Sequence, residues 1–168
     1  IALALNADLI IADEATTSLD VIVEAQIIEL LKELRDEFNL TILLITHNIG
    51  LVAELADRIM VMYAGQMAEL TDVFTMFREP KHPYTKGLLD AVPNIQLDDT
   101  GELFKMEGST PDLIEPPGGC RFNPRCPYAM PVCSQVEPSF QETEPGHFVH
   151  CWLYEEIPAP FREEEAAV

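Results

Sequence analysis

LIIADEATTSLD, residues 9–20, decides the fold. Its first four residues, Leu9 to Ala12, form a short apolar run that stops at Asp13-Glu14. Such a run suits a strand buried on both faces, with two acids at its carboxyl end. Downstream, Val23, Ile27, Leu30, Leu31, Leu34 and Phe38 recur at three- and four-residue steps, with Glu29, Lys32, Glu33, Arg35 and Asp36 between them. That spacing predicts an amphipathic helix from Val21 to Phe38, capped by Ser18 or Asp20. Leu40 to Thr46 is a second aliphatic, β-branched strand, and His47 follows it. Strand, helix and strand make one right-handed crossover in a parallel sheet. Ligands of open parallel sheets bind beyond the carboxyl ends of the strands, so Asp13, Glu14 and His47 are expected on one rim.

Further along, Asn48 to Ala56 reads as a short helix. Arg58 to Tyr63 and Gln66 to Leu70, joined at Ala64-Gly65, read as a hairpin. Asp72 is placed to cap a helix that ends before Pro80, and Pro83 to open another through about Val92. Beyond Pro93, Pro111, Pro116, Pro117, Gly118 and Gly119 predict a long irregular connection, with a domain boundary between about residues 80 and 95.

The 168 residues, 48% hydrophobic, suffice for a core and a small appendage. A net charge of -19 with only ten Lys and Arg argues against a nucleic-acid partner. The acidic tail, residues 155–168, reads as a solubilising end. No run of about 18 apolar residues is present, so a membrane role has to come through partners. Neither is there a secretory leader pattern, which makes the cytoplasm the default compartment. The chain opens at Ile1 without a methionine or capping signal, as expected of a sequence truncated at its N-terminus.

Cys120, Cys126, Cys133 and Cys151 are separated by five, six and seventeen residues. In a reducing compartment such a cluster suggests a metal site more than a disulfide framework. The gaps are wider than the paired knuckles of a zinc ribbon, and four thiolates in a Pro- and Gly-rich segment can surround an iron-sulfur cube. Arg121 and Arg125 are placed to offset the charge of such a cluster or to donate to its sulfurs. His147 and His150 are possible alternate ligands, and two disulfides, buried free thiols or a structural zinc remain alternatives.

An acid at a strand end can hold Mg2+ through water, and an adjacent carboxylate can orient or deprotonate an attacking water. Taken alone, the pair Asp13-Glu14 could equally be a plain sheet rim. The longer strings carry more. LIIADEATTSLD resembles the Walker B strand, catalytic glutamate and D-loop of ABC-transporter nucleotide-binding domains, and LLITHNIGLVAELADRIMVMYAGQ, residues 43–66, resembles their switch-histidine segment. HPYTKGLLDAVP, residues 82–93, and GCRFNPRCPYAMPVC, residues 119–133, resemble the C-terminal extension of oligopeptide/dipeptide-type ABC ATPases.

The resemblance implies an α/β fold: part of a P-loop-type (RecA-like) ABC ATPase core with parallel strands over residues 1–80, then a small irregular metal-binding extension over residues 81–154. It implies that Asp13 supports Mg2+, Glu14 polarises the hydrolytic water and His47 contacts the γ-phosphate of ATP, with Ser18 and Asp20 in the D-loop. It further implies a [4Fe-4S] cluster on Cys120, Cys126, Cys133 and Cys151, with Zn2+ as the alternative. The implied partners are a second ABC ATPase, two transmembrane permease subunits and, indirectly, an extracytoplasmic solute-binding protein, at the cytoplasmic face of the membrane. Two departures stand out: Ala15 replaces the family's usual proline, and neither a G-x-x-x-x-G-K-[ST] string nor an LSGGQ signature occurs. Without a P-loop the 168 residues alone are expected neither to bind ATP tightly nor to hydrolyse it. The rival reading is a non-catalytic interaction or redox-sensing module.

Overall fold

The computed structural model describes residues 7–16, 19–92, 106 and 108–162. The chain divides into two compact units, Ile1–Asp57 and Arg58–Val168.

In the first unit β1 (Leu9–Asp13), α1 (Val21–Phe38), β2 (Thr41–Ile45) and α2 (Ile49–Leu55) follow one another. β1 and β2 pair in parallel, with Leu9 opposite Thr41 and Asp13 opposite Ile45. Asp20 caps α1 by accepting from the Val23 N–H at 2.9 Å, and Asn39, in the left-handed region, ends it. Asn48 caps α2 in the same way through Gly50.

Two expectations need correction here. The strands are not buried on both faces: Leu9, Ile11, Leu43 and Ile45 are exposed while Ala12 on the alternate face is buried. Among the described residues this sheet has two strands, and a parallel pair needs a layer on each side to hide both faces. The buried stripe of α1 is also rotated from the expected one. Ile28 is its buried centre, whereas Leu30 and Phe38 face solvent. Apolar residues cover more of the helix circumference than one neighbouring layer can hide, and spacing alone does not say which of them that layer meets.

The second unit is built on a four-stranded antiparallel sheet in the order β3-β4-β6-β5. β3 (Arg58–Tyr63) and β4 (Gln66–Asp72) form the expected hairpin, with Ala64 and Gly65 both at positive φ in its turn and a bulge between Val61 and Met62. Asp72 caps α3 (Val73–Arg78) through the Thr75 N–H at 3.0 Å. His82 caps α4 (Pro83–Asp90), and Pro83 occupies its first turn. Val61, Ala68 and Met76 form one core, joined by Ile59, Tyr84 and Leu88.

The extension is less irregular than expected. β5 (Gln141–Glu144) and β6 (His147–Val149) form a second hairpin, and β6 pairs with β4 through Glu69–Val149 and Leu70–Phe148. Strands of four and three residues are too short to reveal themselves by alternation, although Pro145-Gly146 between them is a turn signal. This pairing puts the β3–β4 hairpin and the extension in one sheet, so the compact units divide at Asp57/Arg58, upstream of the boundary placed between residues 80 and 95.

Candidate functional site

Asp13 ends β1, and Glu14 follows it with φ 48, so the chain turns through the left-handed region there. The Glu14 N–H still donates to the Ile45 carbonyl at 2.9 Å, which holds the turn against the end of β2. His47 stands two residues past the end of β2. Its Nδ1 lies 2.9 Å from Glu14 Oε1, and both side chains remain substantially open to solvent, at 76% and 44%. Two strand ends therefore bring Glu14 and His47 into contact, and the Asp13 side chain, at the end of β1, is exposed. The hydrogen bond to Glu14, with its negative charge, raises the His47 pKa above 6.5. With Nδ1 turned to the carboxylate, Nε2 is the ring nitrogen left to meet a ligand. Asp20 spends its carboxylate on the α1 cap, and Ser18 lies outside the described residues.

The cysteines occupy the second unit. All four are free, and Cys120, Cys126, Cys133 and Cys151 line one cavity together with His82, Pro83, Phe122, Met130 and Trp152. Gly119 permits this closeness: at φ 65 it lies so near Cys133 that a Cβ would meet the Cys133 carbonyl at 2.4 Å. The Cys120 N–H donates to that same carbonyl at 2.8 Å, and the Asn123 amide donates to the Cys120 carbonyl at 2.7 Å. Burial pushes the Cys120 and Cys126 thiols up and the Cys151 thiol up to about 12. The charges of Cys120, Cys126 and Cys133 raise the Cys151 thiol further, by less than burial does. Among the described residues no three His, Cys, Asp or Glu side chains are gathered tightly enough to hold a single metal ion.

The flanking cations and imidazoles are committed to other partners than expected. Arg121 donates to the Ala64 carbonyl, and Arg125 to the Tyr63 hydroxyl at 3.2 Å and the Met106 carbonyl at 3.4 Å. His147 Nε2 lies 2.7 Å from Glu69 Oε1, and His150 Nε2 lies 2.5 Å from the Pro138 carbonyl.

Glu69 is the residue that the sequence does not announce. It is fully buried, and its carboxylate accepts from the N–H groups of Lys81 and His82 at 2.8 and 2.9 Å as well as facing His147. A buried carboxylate persists only when its lone pairs are met in this way. Glu69 thereby ties β4 to β6 and to the residues that open α4, and His82 from that corner forms part of the thiol cavity wall. A lone acid inside a hairpin strand gives no hint of such a role.

Comparisons with known proteins agree with these features. Residues 68–133 match the family model described as oligopeptide/dipeptide transporter, C-terminal region. The chain is 48% identical over 155 residues to the putative oligopeptide transport ATP-binding protein YkfD of Bacillus subtilis, an alignment covering 91% of this chain and 47% of that protein. It is 50% identical over 159 residues to the oligopeptide transport ATP-binding protein AppD of the same organism, covering 93% and 47%. To the dipeptide transport ATP-binding protein DppD of Caldanaerobacter subterraneus it is 41% identical over 156 residues, covering 93% and 48%. The chain thus spans about half the length of the curated relatives it matches. It is similar, over nearly all its own residues, to about half of each of these oligopeptide and dipeptide transport ATP-binding proteins, and its residues 68–133 match the C-terminal region of the oligopeptide/dipeptide transporter family.

Proposed function

We propose that this chain supplies the water-activating and phosphate-sensing edge of an ATPase subunit that drives import of peptides or related small solutes. The observation that carries the reading is the 2.9 Å contact between Glu14 and His47 at the ends of two parallel strands. Asp13, on the same rim, has the hard oxygen donor that Mg2+ prefers and would hold it largely through water. The metal, when bound, neutralises charge on the transferring phosphoryl group. Glu14 orients and deprotonates the attacking water, and His47, its Nδ1 turned to Glu14, offers Nε2 toward the γ-phosphate. Ser18 and Asp20 belong to the segment that signals to the second ATPase. Asp20 does so from the end of α1, since its carboxylate caps that helix.

The partners are a second, similar ATPase and two permease subunits, with an extracytoplasmic solute-binding protein acting through them, and the site of action is the cytoplasmic face of the membrane. Among the described residues no helix is long and apolar enough to cross a membrane, in keeping with a peripheral subunit. These 168 residues contain no P-loop string, so they are expected to be inactive alone. The test is ATP turnover by a chain of the relatives' full length. Glu14→Gln should lower the rate at least ~10²-fold with nucleotide binding kept. Undiminished turnover would sink the assignment of Glu14.

The four thiols suit a [4Fe-4S] cluster better than zinc. Tetrahedral zinc draws its sulfurs to about 3.8 Å from one another, given Zn–S of about 2.3 Å. Sequence gaps of five, six and seventeen residues, with all four cysteines on one cavity wall, support the larger cube. Cys120, Cys126, Cys133 and Cys151 would hold it, and it would supply a cross-link for a segment poor in regular structure. Anaerobic iron, sulfide and zinc analysis of the purified chain decides between the two. The inert-module reading has no comparable support, since a remnant has no need to keep Glu14 and His47 in contact on a solvent-facing rim.

A further inference from the structure

We propose that occupancy of the thiol cavity controls the order of the β3–β4 hairpin tip, residues 62–67, with Arg121, Phe122 and Arg125 as the connecting residues; this rests on the reading that the cavity holds a metal group. Five residues separate Cys120 from Cys126, and three of them reach the hairpin. Arg121 donates to the Ala64 carbonyl in the turn itself. Phe122, buried to 2% exposure, sets its ring edge-on to Tyr63 at 5.1 Å and tilted to Tyr84 at 5.6 Å. Arg125 donates to the Tyr63 hydroxyl and lies 6.0 Å from that ring's centre. The loop itself is a single short turn, Asn123–Arg125, braced by the Asn123 amide on the Gly118 and Cys120 carbonyls. A segment this short cannot let its two cysteines shift while its three anchors stay in place.

Apart from these anchors the tip is held by the Tyr63 ring, 4.6 Å from that of Tyr84, and by the Gln66 amide, which donates to Glu137 at 2.7 Å. β6 pairs with β4 at Glu69 and Leu70, and the His150 N–H reaches the Ala68 carbonyl at 2.9 Å. Beyond Ala68 that reinforcement stops. On the opposite strand, the bulge between Val61 and Met62 interrupts the ladder at the same level. The turn residues Ala64 and Gly65 both have positive φ, a conformation unfavourable for Ala. Three of the side chains that anchor the tip thus come from the thiol loop, so the tip opens as a unit when that loop loosens, whereas the rest of the hairpin is held by β6. With four thiolates gathered on a metal group the loop is cross-linked. Stripped of it, four protonated thiols have no mutual bond, and the loop and its anchors loosen together.

Hydrogen exchange followed by mass spectrometry on the full 168-residue chain tests this in three states: reconstituted anaerobically with ferrous iron and sulfide, loaded with zinc alone, and stripped by chelator in the presence of dithiothreitol. Residues 62–67 should exchange at least tenfold faster in the stripped chain than in the iron-and-sulfide form, while residues 69–72 and 147–149 change little. Tip protection by zinc alone would support the coupling equally and correct the identity of the metal. In an Arg121→Met/Arg125→Met chain that still takes up iron and sulfide, the tip should exchange as fast as in the stripped parent. Tyr63→Phe, which removes only the hydroxyl that accepts from Arg125, should lie between. A loaded chain whose tip exchanges no more slowly than the stripped one overturns the coupling and leaves the metal reading intact. A chain that takes up neither iron and sulfide nor zinc overturns both.

Discussion

The two units handle their polar residues in opposite ways. In the first, Glu14 and His47 meet on an open rim and stay largely in water. In the second, Glu69, His82 and His147 are buried, and Glu69 answers three donors from two other segments. Chemistry that must reach a ligand needs exposed groups and gains little stability from them. Polar groups that hold segments together must leave water, and then any missing partner is expensive. Mutations in the second unit should therefore register as stability, and those in the first as activity and titration.

The largest effect is expected from Glu69→Ala, which strands two backbone N–H groups and the His147 ring. A loss of about 3–5 kcal/mol should follow. Trp152 is the sole tryptophan of the sequence and sits in the second unit, so its fluorescence during urea unfolding reports on that unit alone. If α1 helicity, followed by circular dichroism, falls at the same urea concentration, the units unfold as one and the contrast between them breaks. Gly119→Ala comes next. It sets a Cβ 2.4 Å from the Cys133 carbonyl at a φ of 65, so crowding and backbone strain together should cost roughly 2–5 kcal/mol.

Acid provides the third test. Burial, with a smaller contribution from the charge of His150 and opposed by that of Glu69, holds His82 down from 6.5 to about 4. Between those values the unfolded chain binds the proton and the folded chain does not. Stability is then complete above pH 6.5 and declines as pH falls toward 4, by about 3 kcal/mol from this group. His82→Asn, which keeps an N-cap acceptor, should flatten that slope in urea midpoints measured from pH 7.5 to 4. The smallest effect belongs to the first unit. Glu14→Gln should bring the His47 titration, followed by NMR, back toward 6.5 with no measurable change in stability. The native pair, with its raised His47 pKa, is strongest below pH 6.5 and is lost as pH rises through the folded midpoint. A large stability loss in Glu14→Gln would erase the proposed difference between the units.

Legibility followed the same division. The end of a strand is a local property, so an apolar run that stops at Asp13 and another that stops before His47 already placed both groups on one rim once the crossover was recognised. The hairpin turn at Ala64-Gly65 and the caps at Asp20 and Asp72 were legible for the same reason. The partners of Arg121 and Arg125 were not. They lie 57 and 62 residues away, at Ala64 and Tyr63, and two arginines between two cysteines look like charge balance until the hairpin is found beneath them. Which face of β1 and α1 is covered also escaped prediction, since periodicity shows that a face exists and not what lies against it.

Taken alone, the sequence determined the crossover, the order of its elements, the rim residues and the spacing of the four cysteines, all of which depend on neighbours within one or two turns of chain. Only the tertiary structure decided that Glu69 joins β4 to β6 and to the start of α4, that the thiol loop rests on the hairpin tip, and that His147 faces Glu69. Each of these needs a donor and an acceptor far apart in sequence to be desolvated together, and that energy exists only after the chain has folded.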